Sequence, residues 1–520
     1  MDFNSFAYHF LSKFCCVVWT KSVQLRLYLG FAAVVVLHRI HPKDMLNCFF
    51  QVINRKKQKV FNINVINLII GNNCGKINQK VVKAVQKVAL KKRDLYLKRM
   101  IAFQDTEMIK VITGIRRCGK SSLMKLMAQH LRENGITQEQ ILEMNFESMR
   151  FPDMDVRGFY EYVKARILPD KRMYLFFDEV PRISGWENAV NSFRVDFDCD
   201  IYITGSNAYL LSSELSTYLS GRYVEIKVLP LSFKEFLDFH GYTVTEKKSP
   251  TGALKRRIID QDGDIYDERE LFNEYARFGG MPMLADVGLE IDRVTAALDG
   301  VYSAAVVNDI LEREKRKGRR TITDPILLRK IIMFLADNIG NNVSATSIGN
   351  TLVNEGLLEE KGRRKPAVHT IQSYIEALLE AYIFYEIKRF DIKGKEYLRT
   401  LGKYYIVDMG LRNYLLGYRD GDSGHILENI IYFELLRQGY DVAIGKIDTQ
   451  EVDFIATKAD EKKYIQVTEN MNAPETRERE LAPLRKIRDN YEKLVIALDC
   501  DLTQTLDGIK LVKALEFLLL

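Results

Sequence analysis

Gly114-Ile-Arg-Arg-Cys-Gly119-Lys120-Ser121-Ser122 is the stretch on which the reading of this 520-residue chain turns. A β-branched run, Met108-Ile-Lys-Val-Ile-Thr113, precedes it and predicts a buried strand. Leu123-Met-Lys-Leu-Met-Ala-Gln-His-Leu131 follows, with apolar residues at helical spacing. Strand, glycine-bounded loop and helix start are the context in which G-x-x-x-x-G-K-[ST] binds phosphate. The physical cause is a nest of backbone N–H groups at the positive end of a helix. Lys120 adds a point charge at the β/γ-phosphates, and Ser121 a hydroxyl ligand for Mg²⁺. The expected phosphate-binding set is Gly114, Arg116, Arg117, Cys118, Gly119, Lys120, Ser121 and Ser122, with ATP and Mg²⁺ as the cofactors. A Cys118 thiolate facing phosphate would be stabilised by the same helix end, so oxidation there is expected to block ATP.

Downstream, a strand is expected at Glu139–Phe146 and a helix near Val156–Ile167. Met173-Tyr-Leu-Phe-Phe-Asp178-Glu179-Val180 then reads as a buried parallel strand whose C-terminal end opens on the ligand crevice. Asp178 is the expected holder of the Mg²⁺ shell and Glu179 the group that polarises the attacking water. Cys199-Asp-Ile-Tyr-Ile-Thr204 is the next strand, and Asn207 or Ser206 beyond it is placed to bond the γ-phosphate or that water. Arg222, in Tyr218-Leu-Ser-Gly-Arg222, has the planar fork that suits a transferring phosphoryl group, in trans from a neighbouring subunit or in cis as a sensor. A plain surface arginine is the alternative.

These motifs, in order with Leu229-Pro-Leu-Ser-Phe-Lys-Glu-Phe236 and Phe278-Gly-Gly-Met-Pro282, resemble the prokaryotic AAA-type ATPases related to origin-recognition ATPases. The resemblance covers roughly residues 90–520. It implies an ATPase fused to a C-terminal domain of unknown function with a restriction-endonuclease-like core.

The lid of such an ATPase is expected over 231–310, interrupted by a polar stretch, Thr243–Asp267, that reads as a loop or insertion. Helices at Ile326–Asn338, Ala345–Leu352 and Val368–Ala381, then strand-like Ile383–Arg389 and Glu396–Leu401, form the pattern of a winged helix-turn-helix. Arg313, Lys315, Arg319, Arg363, Arg364 and Lys365 are its expected DNA phosphate contacts. Five nearby acids (Glu312, Glu314, Asp324, Glu359, Glu360) keep open a solvated charge run with the winged helix used for protein packing.

After the bridge Leu401–Arg412, an amphipathic helix is expected at Ile426–Gln438 with Glu428 in its first turn. Strands follow at Asp441–Ile444, Glu451–Ala456 and Lys463–Thr468. This order, with Glu428, Asp453 and Gln466, resembles the PD-(D/E)xK nuclease core. There carboxylates hold Mg²⁺ and a lysine helps activate water. Thr468 stands at the lysine position and Gln466 at the second acid, so the site is expected to be degenerate. Lys446 or Lys463 is the alternative source of a lysine, and strand alternation puts Lys463 on the face opposite Gln466. A last strand at Glu492–Asp499 and a strand and helix over Ile509–Leu520 close the domain.

At 47% hydrophobic and 28% charged, the composition is that of a globular protein. The net charge of +7 is local: residues 1–90 carry 13 Lys and Arg against Asp2 and Asp44, and the remainder is slightly acidic. A global basic-protein argument for nucleic acid therefore fails. Seven cysteines without a C-x-x-C pair exclude a disulfide or zinc framework and point to reduced thiols in the cytoplasm. Leu27–Leu37 is the longest uncharged apolar run of the N-terminal segment, 11 residues against the roughly 20 that a membrane span needs. A membrane-associated or targeting segment there is the minor alternative to an extension translated from an upstream start.

The fold class expected is therefore α/β: a P-loop AAA+ parallel sheet with helical lid, winged helix and C-terminal PD-(D/E)xK-like α/β domain. The divisions are 1–88, an atypical extension; 89–230, the ATPase core; 231–310, the lid; 311–405, the winged helix; and 406–520, the endonuclease-like domain. The expected function is Mg²⁺-dependent ATP hydrolysis coupled to a conformational change, on DNA or in a homo-oligomer. The alternatives are an ATP-dependent switch with negligible hydrolysis and a nuclease-related nucleic-acid-binding protein.

Overall fold

The β-branched run before the glycine loop folds as β1 (Ile109–Thr113), every residue of it buried. The computed structural model describes residues 90–205, 221–248, 254–304, 310–311, 322, 324–354, 366–397, 402–500 and 505–520. Ser206, Asn207, the run Leu27–Leu37 and the basic residues Arg313, Lys315, Arg319, Arg363, Arg364 and Lys365 lie outside that range. Strand β1 joins β2 (Ile141–Asn145), β3 (Met173–Asp178), β4 (Cys199–Thr204) and β5 (Tyr223–Lys227) in a parallel sheet of order β2–β3–β4–β1–β5. Strands β3 and β4 are also wholly buried, as continuous apolar runs covered on both faces must be.

Helices α1 (Asp94–Ala102) and α2 (Lys120–Glu133) cover one face through Tyr96, Met100, Leu123 and Met127. Helices α3 (Val156–Lys164) and α4 (Trp186–Asp196) cover the other, where Phe146, Phe159, Phe177 and Phe193 interlock edge-to-face. Helix α3 stops at Lys164, three residues before the expected end.

Beyond β5 come α5 (Phe233–His240), α6 (Glu268–Phe278), α7 (Leu284–Val287) and α8 (Ile291–Tyr302). The polar stretch Thr243–Asp267 is not a loop. It forms an antiparallel sheet of β6 (Thr243–Lys248), β7 (Leu254–Ile259) and β8 (Ile265–Tyr266). Its anchor is the cross-strand pair Val244 and Ile258, both packed on the core, a signal too sparse to stand out among polar neighbours.

Next, α9 (Pro325–Asp337), β9 (Asn342–Val343), α10 (Ala345–Asn354) and α11 (Val368–Glu380) lead to β10 (Phe384–Ile387), and β13 (Gly402–Ile406) completes an antiparallel sheet of order β10–β13–β9. The expected partner of β10, Glu396–Leu401, is not its partner. Tyr405 and Ile406 are fully buried whereas Glu396 and Tyr397 are exposed, so burial selects β13. Strands β11 (Arg389–Asp391) and β12 (Glu396–Tyr397) pair with each other and extend the last sheet instead.

That sheet has eight strands, with β14 (Asp441–Ile447), β15 (Gln450–Lys458), β16 (Glu461–Asn470), β17 (Glu492–Asp499), β18 (Thr505–Leu506) and β19 (Ile509–Lys513). Helices α12 (Met409–Leu416) and α13 (Ser423–Arg437) precede it, α14 (Pro474–Lys486) lies between β16 and β17, and α15 (Ala514–Leu518) ends the chain. Helix α13 begins three residues earlier than expected, so Glu428 sits in its second turn. It is buried around its circumference rather than along one stripe, because it is enclosed by protein on all sides.

One apolar cluster runs from Tyr96 on α1 through the lid and α9–α11 to Leu519. The divisions at 230, 310 and 405 therefore fall within a shared core, and β13 straddles the last of them. Among the described residues no helix is long and apolar enough to cross a membrane.

The far end of the parallel sheet holds a buried ion pair, Lys110 with Asp200, both fully buried. Asp200 also accepts from the Tyr202 hydroxyl (2.9 Å) and the Asp105 N–H (2.9 Å). Burial lowers the Lys110 pKa, and Asp200 opposes that shift. Asp200→Ala strands a buried ammonium and should cost about 3–5 kcal/mol in denaturant melts, whereas Lys110→Met combined with Asp200→Leu should recover most of it.

Candidate nucleotide-binding site

The loop after β1 takes its shape from three positive φ angles in six residues: Gly114 (+138°), Arg117 (+65°) and Gly119 (+103°). A Cβ at Gly114 would lie 2.1 Å from the Val228 carbonyl oxygen, so only glycine fits there. Gly119 is the residue from which α2 starts. Lys120 is 5% exposed, and its ammonium donates to the Gly114 (2.9 Å) and Ile115 (3.1 Å) carbonyls, the two that open the loop. Ser121 is half-buried and Ser122 exposed in the first turn of α2.

The side chains of the other expected members diverge. Arg116 pairs with Glu147 (2.8 Å), which also takes Arg182 (3.1 Å). Arg117 reaches toward the lid, 3.8 Å from the Met283 sulfur. Cys118 is fully buried in the apolar cluster, with its sulfur 3.1 Å from where a Cβ on Gly114 would lie. The expected oxidation of a Cys118 thiolate is opposed by this burial, because the side chain has no solvent to meet.

Asp178 and Glu179 end β3, separated from β1 by β4. Asp178 is 8% exposed and accepts from the Thr204 hydroxyl (2.6 Å) and the Asn145 side-chain amide (2.9 Å). Thr204, the last residue of β4, also accepts from the Glu179 N–H (3.0 Å). Glu179 stands at φ +55°, ψ +43°, an uncommon conformation for a non-glycine residue. Sequence reasoning missed Asn145 and Thr204 as positioning groups. The available signal was the same as for Asp178, a polar residue at the C-terminal end of a buried parallel strand.

Arg222 is not beside this loop. Its carbonyl accepts from the N–H of Ile109, at the start of β1, with the five residues of β1 intervening before the loop. That is a distance of roughly 16 Å along a strand, so the in-cis reading of Arg222 fails. Its side chain is exposed.

The segment Phe278–Met283 touches both the loop and the C-terminal region. Pro282 lies 4.0 Å from the position of a Cβ on Gly119. The Gly280 N–H donates to Asp408 (2.6 Å), which caps α12 by accepting from the Leu411 N–H (3.1 Å). Gly279 and Gly410 close the joint: a Cβ on either would lie 2.3 Å from Asp408 Oδ1 or 2.1 Å from the Phe278 oxygen.

Glu428, Asp453 and Gln466 do come together, on α13, β15 and β16. The Gln466 side chain accepts from the Asp453 N–H (2.8 Å) and donates to Glu480 (3.0 Å). Lys463 points away and lies 3.4 Å from Glu492. The group missed in the sequence is Lys403 on β13, 3.2 Å from Glu428 and 2.6 Å from Glu451. Burial and the neighbouring Glu428 push the Asp453 carboxyl well above its usual range. Burial also opposes ionisation of Glu428, but His425, Lys403 and Tyr405 outweigh it and hold that carboxyl below its usual range.

A family model described as an AAA domain matches residues 106–237, and one described as a domain of unknown function (DUF8612) matches residues 269–422. An uncharacterized protein of Haemophilus influenzae is 40% identical over 435 residues, 83% of this chain and 99% of its own length. The chain belongs to that protein's family. Residues 106–237 are its AAA domain. An uncharacterized protein of Methanocaldococcus jannaschii is 28% identical over 452 residues, 84% of this chain and 91% of its own. The Aeropyrum pernix ORC2 protein, solved as ADPNP–ADP complexes, overlaps 69% of this chain and 95% of its own at 11% identity. Its TM-score of 0.32 is too low to carry an argument.

The joint between the Phe278–Met283 segment and α12 has a pH signature. Burial raises the Asp408 carboxyl from 3.8 to about 6. The folded protein then holds a proton that the unfolded chain releases, so this group's contribution to stability falls as pH rises from about 4 to about 6. Asp408→Asn should remove that slope in thermal melts compared at about pH 4.5 and about pH 6.5.

Proposed function

We propose that this protein is an ATP-binding, Mg²⁺-dependent AAA-type ATPase that couples hydrolysis to movement between its nucleotide-binding sheet and its C-terminal region. The observation that carries the reading is the convergence of three strand ends: the Gly114–Ser122 loop after β1, Asp178-Glu179 at the end of β3, and Thr204 at the end of β4, bonded to the Asp178 carboxylate and the Glu179 N–H. In this reading the loop N–H groups and Lys120 take the phosphates, with Arg116 and Arg117 at the rim. Ser121 and Asp178 fit a magnesium ion. They offer hydroxyl and carboxylate oxygens, Asp178 keeps lone pairs beyond the two bonds it accepts, and the ion would offset phosphate charge there. Glu179 polarises the attacking water, and Asn207 senses the γ-phosphate. Arg222 serves a neighbouring subunit's site, which makes the working form a homo-oligomer.

Contacts of the lid support coupling, because Phe278–Met283 packs on the loop and bonds Asp408. The order α9–β9–α10–α11–β10–β13 supports a winged helix-turn-helix reading, with DNA as partner through Arg313, Lys315, Arg319, Arg363, Arg364 and Lys365. Helix α13, the antiparallel β14–β15–β16 and the parallel β17 support a PD-(D/E)xK-like core. With Thr468 in the lysine position, we read it as inactive on nucleic acid. Three buried, unbridged cysteines (Cys118, Cys199, Cys500) support a cytoplasmic setting.

Single-turnover ATP hydrolysis tests the central reading. Lys120→Ala should abolish nucleotide binding. Glu179→Gln should keep binding and lose at least about 100-fold in turnover. Wild-type protein that binds ATP without turnover would leave an ATP-dependent switch. Arg222→Ala alone should be inactive, yet mixing it with Lys120→Ala should restore part of the activity, since mixed interfaces pair an intact lysine with an intact arginine. No recovery on mixing would end the in-trans role. DNA affinity that does not fall with rising salt would remove the phosphate contacts.

A further inference from the structure

Glu428, Asp453 and Gln466 stand together as in a metal-dependent phosphodiesterase, and a divalent cation is the group such a set implies. The residues present do not fit one. Among the described residues no group of three or more His, Cys, Asp or Glu is arranged to hold a metal ion. Glu428 Oε1 accepts from the Tyr405 hydroxyl (2.5 Å) and from Lys403 (3.2 Å). Asp453 Oδ2 accepts from the Val467 N–H (2.8 Å). The Gln466 carbonyl is taken by the Asp453 N–H, and what it presents to Glu480 is an amide donor.

A cation is nevertheless present in the cluster. The Lys403 side chain is 6% exposed and arrives on β13, a strand of the separate β10–β13–β9 sheet. Burial alone would lower its pKa, but Glu428, Asp453 and Glu451 outweigh burial and raise it. Neighbouring Asn342, on β9 of the same sheet, donates to Glu451 (3.3 Å). The turn after α9 covers the face of Glu428: a Cβ on Gly340 would lie 3.1 Å from its Oε2. Lys403 thus already engages the carboxylates that a metal would use, and the turn at Gly340 covers Glu428.

We infer that Lys403 is a built-in cation that replaces the metal of this cluster and pins the β10–β13–β9 sheet to the C-terminal sheet. The inference rests on the nuclease-like reading of that region. It converts a degenerate site into a structural lock between the helical unit and the last domain. A lysine differs from a metal in two respects that matter here. It cannot activate water as a Lewis acid, and it cannot be chelated away, so the lock is independent of metal supply.

The test uses the nucleotide-free full chain with Mn²⁺ as the probe, followed by electron paramagnetic resonance and thermal melts. Wild type and Asp453→Asn should bind Mn²⁺ indistinguishably. Lys403→Met leaves the carboxylates uncompensated and should lower the melting temperature by roughly 5 °C or more. It should also gain an Mn²⁺ site at least about tenfold tighter than any in wild type, with the melting temperature recovering as Mn²⁺ is added. The gain should vanish in Lys403→Met combined with Asp453→Asn. An Asp453-dependent Mn²⁺ site in wild type overturns the lock and leaves the nuclease-like reading standing, and this comparison holds even if Lys403→Met fails to fold. A destabilised Lys403→Met chain that gains no Mn²⁺ site overturns both. Neither result bears on the ATPase reading, which the Lys120 and Glu179 variants decide separately.

Discussion

Three consecutive backbone carbonyls, those of Leu229, Pro230 and Leu231, leave the parallel sheet in a fully buried segment and must find donors. Two guanidinium groups and a phenol supply them. Arg93, ahead of α1, donates to Leu229 (2.9 Å) and also to the Cys118 carbonyl inside the phosphate loop (3.0 Å). Arg437, at the end of α13, donates to Pro230 (3.0 Å), and the Tyr275 hydroxyl on α6 donates to Leu231 (2.9 Å). Glu235 closes the arrangement: it pairs with Arg93 (2.6 Å) and caps α5 together with Ser232. One short segment thus ties the loop, the lid and the last domain together. Charge-bearing donors are used because an unmet buried carbonyl would cost more than the ordering of an arginine.

The same segment explains why the glycines of Phe278-Gly-Gly-Met-Pro282 are required. The Leu231 N–H donates to the Gly280 carbonyl, and a Cβ on Gly280 would lie 2.4 Å from the Leu231 oxygen. Gly280 in turn donates to Asp408. From the loop to α12 there is therefore a run of close contacts through Leu229–Leu231, Gly280 and the Asp408 carboxylate.

Different parts of the chain were legible to different degrees. The parallel sheet was readable because β1, β3 and β4 are apolar runs bounded by chemistry-bearing residues, and local pattern alone defines such strands. The site's loop and its two acids were readable for the same reason. The burial of Cys118, the end of β1 at which Arg222 sits and the pairing of the polar stretch from Thr243 were not legible because each depends on direction. Whether a side chain faces the loop or the core, and which end of a strand a residue sits at, follows from contacts far away in the chain. Lys403 was invisible as a partner of Glu428 because it lies on a strand of another sheet, and nothing within either segment signals the meeting.

Local sequence by itself determined the nucleotide-binding architecture: a glycine loop between strand and helix, and Asp178-Glu179 closing a buried strand. Those features rest on steric and hydrogen-bonding rules that act within a few residues. Tertiary structure alone decided what surrounds them. It buried the Cys118 thiol, moved Arg222 to the opposite end of β1, chose β13 over Glu396–Leu401 as the partner of β10, and set the Lys403 ammonium among three carboxylates. Each of these outcomes follows from satisfying buried polar groups and apolar area across one shared core. That condition involves residues hundreds of positions apart, so no local window contains it.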